Sequence, residues 1–299
     1  MAEPVHVVLP SRGAIALTGP DARSFLQGLV SNDVTRVAKD RAIYAAFLTA
    51  QGKFLHDFFL IELDDALIID CEGQRLADLK KRLGLYKLRS KIALEDASQR
   101  FVIAAAPGAE ALARLGLSEE PGRAVALDGG VAFVDPRLAA MGARFVLPRE
   151  GAEAALAATG LAAGTVDGYE RLRLELGLPD GSRDLEVEKS ILLENGFDEL
   201  NGVDWKKGCY MGQELTARTK YRGLIKKRLM PVEIDGPLPA PGTPVLLGQQ
   251  EAGELRSGQG NRALALLRLE QVEQAKSSGA PLTAGDARIK PVRPAWAGF

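Results

Sequence analysis

The sequence predicts an α+β fold of antiparallel sheets with helices, followed by a small β-barrel at the C-terminal end. Pairs of strand-forming apolar segments are separated by single helical segments in the 299 residues, an order typical of α+β proteins and not of a parallel, doubly wound sheet. Half of the 16 prolines lie after residue 229, between short apolar runs, as in small barrels. We therefore predict a body over residues 1–228 and a barrel over residues 229–299.

The composition is that of an ordinary soluble protein with about two domains. The formal net charge of -1 and the pI of about 6.2 argue against a protein whose whole surface binds nucleic acid. The N-terminus lacks the basic region and apolar run of a secretory signal, and no apolar stretch approaches the roughly 20 residues that cross a bilayer. We expect a cytoplasmic protein that contacts neither nucleic acid nor a membrane.

Six elements are predicted at the start of the chain. Phe25, Leu26 and Leu29 recur at helical spacing after a helix start at Pro20, and the cluster Ser31-Asn32-Asp33 then favours a turn. In order, we predict a strand, a helix, three strands and a helix at residues 14–19, 20–30, 42–50, 53–63, 66–71 and 74–84. The three consecutive strands are separated by turns short enough for hairpins, which predicts an antiparallel meander.

The middle of the chain continues this alternation. Asp128-Gly129-Gly130 predicts a tight turn between two strands, and no glycine-rich phosphate loop follows any strand, which disfavours dinucleotide and P-loop folds. We predict strands at residues 91–96, 100–106, 124–127, 131–135 and 143–148. We predict helices at residues 108–115, 151–159 and 165–176.

Positive charge is concentrated between Lys206 and Arg228, a stretch that contains eight basic residues and one acidic residue. Cys209 follows two lysines there and precedes a helix that we predict to begin near Gly212. Such a setting favours the thiolate, so Cys209 is a candidate nucleophile, metal ligand or redox site. The alternative is a tight glycine turn in which the cysteine is merely small and buried.

The rest of the chain limits what one thiol could do. Neither of the two histidines, His6 and His56, lies in a cysteine-protease context, and no CxxC pair or histidine cluster completes a metal site. A metal or cluster at Cys209 would therefore need ligands from a second molecule. Cys71 ends an apolar strand and is expected in the core, with both cysteines as free thiols.

The run from Lys206 to Leu229, centred on Lys207-Gly208-Cys209-Tyr210, resembles the signature of YgfZ-type folate-binding proteins. These are relatives of the glycine-cleavage T-protein, an aminomethyltransferase, and they assist iron–sulfur cluster assembly and repair. Weaker matches follow in the same order at residues 25–34, 49–54, 173–179 and 253–257. The resemblance implies an aminomethyltransferase-like body with ferredoxin-like pieces, arranged with the barrel around an opening for tetrahydrofolate. It also implies an inserted subdomain at about residues 46–128.

The resemblance also implies roles for individual residues. Glu175 would contact the pterin, with Tyr169 beside the folate. The remaining expected cofactor-binding residues are Arg173, Asn32, Asp33, Arg218 and Arg222. Cys209 would act with its motif neighbours Lys207, Gly208, Tyr210, Gly212, Gln213 and Glu214. The basic run at 80–91 is either a solvated face or a contact for the folate's anionic tail.

The function implied is that of a tetrahydrofolate-binding factor for maturing or repairing iron–sulfur proteins, including tRNA-modifying enzymes. Its expected partners are folate, iron–sulfur carrier proteins and client iron–sulfur enzymes, and Cys209 would share a transient cluster with such a partner. One alternative is a folate-dependent aminomethyl or one-carbon transferase that uses the acid at Asp78. A second is a scaffold that binds no folate.

Overall fold

A computed structural model describes residues 3–223 and 225–298. Its internal contacts group the chain into two units. Unit 1 consists of residues 1–48, 55–169 and 200–211. Unit 2 consists of residues 49–54, 170–199 and 212–299. The interleaved subdivision predicted for residues 1–228 and the boundary at 228/229 stay predictions.

The strands and helices follow the predicted order closely. The strands are β1 Val5–Val8, β2 Arg12–Thr18, β3 Ile43–Leu48, β4 Phe54–Leu63, β5 Ala66–Glu72, β6 Ala93–Asp96, β7 Phe101–Pro107, β8 Ala124–Leu127, β9 Gly130–Val134, β10 Gly142–Pro148, β11 Ala162–Ala163, β12 Lys227–Asp235, β13 Pro244–Leu247, β14 Gln250–Gln259, β15 Arg262–Arg268, β16 Leu282–Ala284 and β17 Ala287–Pro291. The helices are α1 Ala22–Gln27, α2 Leu76–Leu85, α3 Ala109–Arg114, α4 Ala152–Ala158, α5 Val166–Leu176, α6 Gln213–Tyr221 and α7 Leu269–Ser278.

Unit 1 contains a five-stranded sheet in the order β3-β4-β5-β2-β6. Strands β4 and β5 pair antiparallel across the turn at Asp64, and β2 pairs antiparallel with both β5 and β6. Every residue of β3 is buried, as are the first eight of β4, which explains their nearly continuous apolar sequences. The predicted antiparallel meander is confirmed.

A second sheet in unit 1 has six strands in the order β11-β1-β7-β10-β9-β8. Strands β7, β10, β9 and β8 are antiparallel neighbours, and β8 and β9 form the hairpin predicted across Asp128-Gly129. Helices α3 and α4 contribute to the core on one face of this sheet, around Phe145 and Leu147. Strand–strand–helix order thus produces antiparallel sheets with helices, and the α+β prediction is confirmed.

Residues 227–291 close into a six-stranded barrel in the order β12-β15-β14-β13-β16-β17. Its interior is apolar and includes Val232, Val245, Leu255 and Leu267. The predicted C-terminal barrel is confirmed. Helix α7 was not predicted, because only Leu269, Val272 and Ala275 form its apolar stripe and the remaining residues are polar.

Helix α1 ends at Gln27, three residues before the predicted end at Val30. The carbonyl oxygens of Gln27 and Val30 accept hydrogen bonds from Lys207 Nζ, and that of Gly28 accepts one from Met211 N. These carbonyl groups are therefore used to hold a distant segment of unit 1. Across the described ranges, no helix is both long and apolar enough to span a bilayer.

Helix α5 carries a fully buried arginine in unit 2. Arg173 donates all five of its N–H groups: two to Glu170, one to Asp184 Oδ2 at 2.8 Å, one to Ser257 Oγ at 2.7 Å and one to Leu178 O at 2.7 Å. Asp184 is also fully buried and accepts from the Ser257 backbone and hydroxyl. The side chain of Arg173 thus connects α5, the following loop and the barrel strand β14.

Replacing Arg173 by methionine should destabilise the protein by about 3–5 kcal/mol, because the buried Asp184 carboxylate loses its charged partner. Urea denaturation measures this change in the free energy of unfolding. Arg171→Met, on the exposed face of the same helix, is the matched control and should change it by less than about 0.5 kcal/mol. Equal effects of the two substitutions would contradict this account.

Candidate functional site

Cys209 lies at the surface, in an irregular segment that ends where helix α6 begins. Gly212 is the residue before α6 and has a left-handed backbone with φ of 80°. Gly208 has φ of 91°, also in the region that L side chains rarely adopt. The two glycines therefore allow backbone conformations that the loop requires and that other residues rarely adopt. The prediction of a helix beginning near Gly212 is confirmed, whereas a buried Cys209 is not what the structure shows.

Lys207 holds this loop in place. Its Nζ donates to the carbonyl oxygens of Gln27 and Val30, both at 2.6 Å, and lies 4.9 Å from the ring centroid of Tyr210. Loss of surrounding water lowers the pKa of Lys207 to about 8, while the negative charge of Asp33 offsets part of the effect. The ammonium thus remains charged at neutral pH and stabilises the carbonyl end of α1.

A second set of bonds fixes the loop through Ser31. The Ser31 carbonyl oxygen accepts from Asp204 N at 3.1 Å, and its hydroxyl donates to Gly202 O at 2.5 Å. The same hydroxyl accepts from Ala46 N, which ties the loop to strand β3. Cys209 is therefore an exposed thiol on a loop that is fastened to the interior of unit 1.

Asn32 and Asp33, two of the expected folate-binding residues, already have partners. The Asn32 amide donates to Tyr44 O and Asn201 O, both at 2.7 Å. Asp33 Oδ1 accepts from Thr35 N at 3.0 Å, from the Thr35 hydroxyl and from the side chain of Gln27. Burial alone would raise the pKa of Asp33, but these hydrogen bonds lower it below its ordinary value. Both side chains thus bond to residues that hold the Cys209 loop in place. Their contact with folate stays a prediction.

Glu175 and Tyr169 lie on helix α5 in very different surroundings. Glu175 is exposed, and within residues 3–223 and 225–298 its carboxylate has no hydrogen-bond or ion-pair partner. The Tyr169 ring is buried, and its hydroxyl accepts from Arg144 Nη1 at 3.1 Å. Glu175 therefore has both carboxylate oxygens available for a ligand, whereas Arg173 on the same helix has no donor to spare.

The remaining predicted residues lie on α6 or next to it in unit 2. Glu214 is exposed in the first turn, Arg218 is exposed in the last, and Arg222 is exposed just beyond the helix. Within the part of the chain that the structure describes, neither arginine forms an ion pair. Gln213 is half-buried at the helix start. The charges of Arg218 and Arg222 make the C-terminal end of α6 basic, as the sequence predicts.

Sequence reasoning missed a buried polar network behind Tyr169. Asp70 accepts from Arg12 Nε at 2.7 Å and from Arg144 Nη2 at 2.5 Å, and all three side chains are buried. The Arg144 guanidinium lies 4.1 Å from the ring centroid of Phe59. Burial would raise the pKa of Asp70, but the two arginines outweigh it and lower that pKa. Charged residues inside the apolar strands β5 and β10 were the signal that could have revealed the network.

Asp78, the acid expected of a transferase, is engaged as well. Its Oδ2 lies 2.9 Å from both His56 Nε2 and Arg82 Nε, and Oδ1 accepts from Arg82 Nε at 3.1 Å. Burial lowers the pKa of His56 to about 4, so this imidazole is neutral at pH 7 and can donate to the carboxylate. Burial would raise the pKa of Asp78, but these two partners lower it.

The two cysteines differ sharply in environment. Cys71 is buried within β5, and burial raises the pKa of its thiol to about 12. Cys71 is a core residue, as predicted, and both cysteines are free. In residues 3–223 and 225–298, no three His, Cys, Asp or Glu side chains are placed to hold a metal ion.

Comparison with known proteins places the chain. Along 286 residues it is 36% identical to the mouse (Mus musculus) "Iron-sulfur cluster assembly factor IBA57, mitochondrial", covering 89% of this chain and 78% of that protein. The human (Homo sapiens) protein of the same name is 37% identical over 284 residues, with the same coverage of 89% and 78%. The chain belongs to the IBA57 family. The finer resemblance to YgfZ-type proteins stays a prediction.

Two further similarities concern the fold. Residues 226–299 match the family described as "CAF17, C-terminal beta-barrel domain". The crystal structure of glycine cleavage system aminomethyltransferase T from Bartonella henselae aligns with a TM-score of 0.76 and 16% identity, over 99% of this chain and 87% of that one. The aminomethyltransferase-like fold expected from the sequence is therefore confirmed.

The predicted cytoplasmic location is wrong by this comparison. The mouse and human members of the IBA57 family are both named as mitochondrial proteins. The prediction depended on reading the N-terminal residues and the lack of a long apolar segment, and neither observation distinguishes cytosol from an organelle interior.

The native protein should react with iodoacetamide at Cys209 about tenfold faster or more than at Cys71, because the latter is buried and its thiol stays protonated. Mass spectrometry of the intact protein and of its peptides measures the two rates. Denatured protein, the control, should take up label at both positions. Comparable rates in the native protein would contradict the environments described for the two thiols.

Proposed function

We propose that this chain is a tetrahydrofolate-binding factor in the maturation or repair of iron–sulfur proteins, including enzymes that modify tRNA. Membership of the IBA57 family supports the role in cluster assembly. The observation that carries the proposal is the exposed thiol of Cys209 on a loop fastened by Lys207 and Ser31.

The cluster is cargo shared with a partner protein. Iron in such clusters is held chiefly by cysteine thiolates, and Cys71 is buried and protonated. The described residues offer no other group of metal ligands. Cys209 therefore supplies one ligand and an iron–sulfur carrier supplies the others. An exposed position allows this sharing, and a fixed loop presents the thiol without a large loss of conformational freedom.

The hydrogen-bond donors of tetrahydrofolate match the acceptors of one residue, Glu175. The pterin presents an amino group and a ring N–H side by side, and the exposed Glu175 carboxylate can accept both. Tyr169 adds a ring whose hydroxyl accepts from Arg144, so its own proton remains available to a ligand. Bound tetrahydrofolate would supply reduced ring nitrogens that carry one-carbon groups. Arg173 stabilises helix α5 through the five hydrogen bonds that it donates within unit 2.

Aminomethyl transfer receives less support. The acid that such a reaction would use, Asp78, is bound by His56 and Arg82 and is held in its ionised form. The scaffold alternative differs from the proposal only in the absence of folate binding. A direct titration with tetrahydrofolate distinguishes the scaffold from the proposed folate-binding factor.

Mixing the protein anaerobically with a cluster-loaded A-type iron–sulfur carrier should produce a visible absorbance band of a shared cluster. Cys209→Ala should lose about nine-tenths or more of this band because one thiolate ligand is missing. Cys71→Ala is the matched control and should retain the band, since Cys71 is buried. Retention of the band in Cys209→Ala would overturn the assignment of that cysteine.

Glu175→Gln should weaken tetrahydrofolate binding about tenfold or more, because an amide offers one acceptor and no charge to the two pterin donors. Isothermal titration calorimetry under anaerobic conditions measures the affinity. Asp167→Asn, exposed on the same helix, is the control and should leave binding unchanged. No saturable binding by the unmodified protein would favour the folate-independent scaffold.

A further inference from the structure

An exposed apolar and basic surface follows helix α2 in unit 1. Leu85 is 69% exposed, Tyr86 41% and Leu88 88%. The described residues include seven exposed large hydrophobic side chains, and three of them lie in this short segment. We call residues 85–89, Leu-Tyr-Lys-Leu-Arg, the Leu88 surface. Such a concentration of exposed apolar side chains marks an interaction site more often than isolated ones do.

The Leu88 surface is held in a defined conformation. Leu88 has φ of 43°, in the left-handed region that is unfavourable for a residue with a Cβ. Backbone bonds from Tyr86 N to Leu83 O at 3.0 Å and from Ser90 N to Lys87 O at 2.8 Å fix the turn. The Tyr86 ring packs edge-on against Phe47, with centroids 6.1 Å apart. The segment is therefore preformed and presents Leu88 at the surface.

The charge around the Leu88 surface is mainly positive, with one carboxylate, Asp21, beside Leu88 and Arg89. Lys87 and Arg89 are exposed within it, and Lys81 and Lys91 are exposed beside it. None of these four side chains forms an ion pair in residues 3–223 and 225–298. In a protein with a net charge of -1, such a local excess of positive charge favours binding of an acidic partner.

The Leu88 surface is also connected to the Cys209 loop through unit 1. Lys91 N donates to Asp21 Oδ2 at 2.7 Å, directly before α1, and the last residue of α1, Gln27, accepts from Lys207. Helix α1 has six residues, a length of about 9 Å. A second connection runs from Tyr86 to Phe47, which pairs with Val30, another acceptor of Lys207.

We propose that the Leu88 surface docks an acidic protein, the partner that brings the remaining cluster ligands to Cys209. This inference rests on the proposed function. Leu85 and Leu88 form the apolar centre of the contact, and Lys87 and Arg89 form its basic rim. Apolar burial slows dissociation of the complex, while the basic rim accelerates encounter with an acidic face and makes the rate sensitive to salt.

Biolayer interferometry with an A-type iron–sulfur carrier, at low and high salt, tests this docking. Leu88→Ser should weaken binding about tenfold, chiefly through faster dissociation. Lys87→Glu/Arg89→Glu should slow association about tenfold and remove most of its salt dependence. The matched controls lie on the barrel: Leu238→Ser replaces an exposed leucine and Lys276→Glu/Arg288→Glu reverses two exposed charges. Both should bind within about twofold of the unmodified protein, and all variants should unfold at similar temperatures.

The outcomes separate this inference from the proposed function. If the carrier binds and shares a cluster but the Leu88-surface variants match the controls, docking occurs elsewhere and only this inference fails. If the unmodified protein neither binds the carrier nor acquires a cluster, both fail. Leu88-dependent binding to phosphatidylglycerol vesicles with unchanged carrier binding would assign the surface to lipid instead. Loss of affinity for polyglutamylated tetrahydrofolate alone would assign it to the folate tail.

Discussion

The bonds from Lys207 Nζ to the carbonyl oxygens of Gln27 and Val30 are the contact on which the site depends. A lysine two positions from Cys209 converts the open end of a short helix into an anchor for the thiol loop. Removing that ammonium would leave two carbonyl groups without their donor and would release the loop. The position of the thiol is thus set by an interaction that involves neither its sulfur nor any ligand.

Buried charges have a similar architectural role elsewhere in the chain. In unit 2, Arg173 uses five donors to join helix α5 to the barrel, and in unit 1 Asp70 holds Arg12 and Arg144. Each charge is paired and hydrogen-bonded, which is the condition for burying it without a prohibitive desolvation cost. Since paired charges demand specific geometry, both networks restrict the orientation of the side chains that contact them, including Tyr169.

Most of the elements could be predicted from the sequence, because apolar periodicity and turn residues report local structure directly. The meander β3-β4-β5, the hairpin β8-β9 and the barrel all follow that logic. Partners of polar residues could not be predicted in the same way. Arg173 and Asn32 have the residue types expected at a ligand site, and each also bonds to a segment far along the chain, a contact that no local sequence pattern reveals. Helix α7 escaped prediction because its apolar stripe is narrow.

The backbone of Gly208 and Gly212 has a consequence for inherited variation. Both residues have positive φ, and every amino-acid replacement introduces a Cβ that costs about 1–2 kcal/mol in the left-handed region. Any missense change in either codon therefore strains the thiol loop, whatever the chemistry of the new side chain. By contrast, an exposed neighbour such as Lys206 can vary with little effect on the loop. Harmful alleles should therefore be found at Gly208 and Gly212 whichever amino acid replaces the glycine.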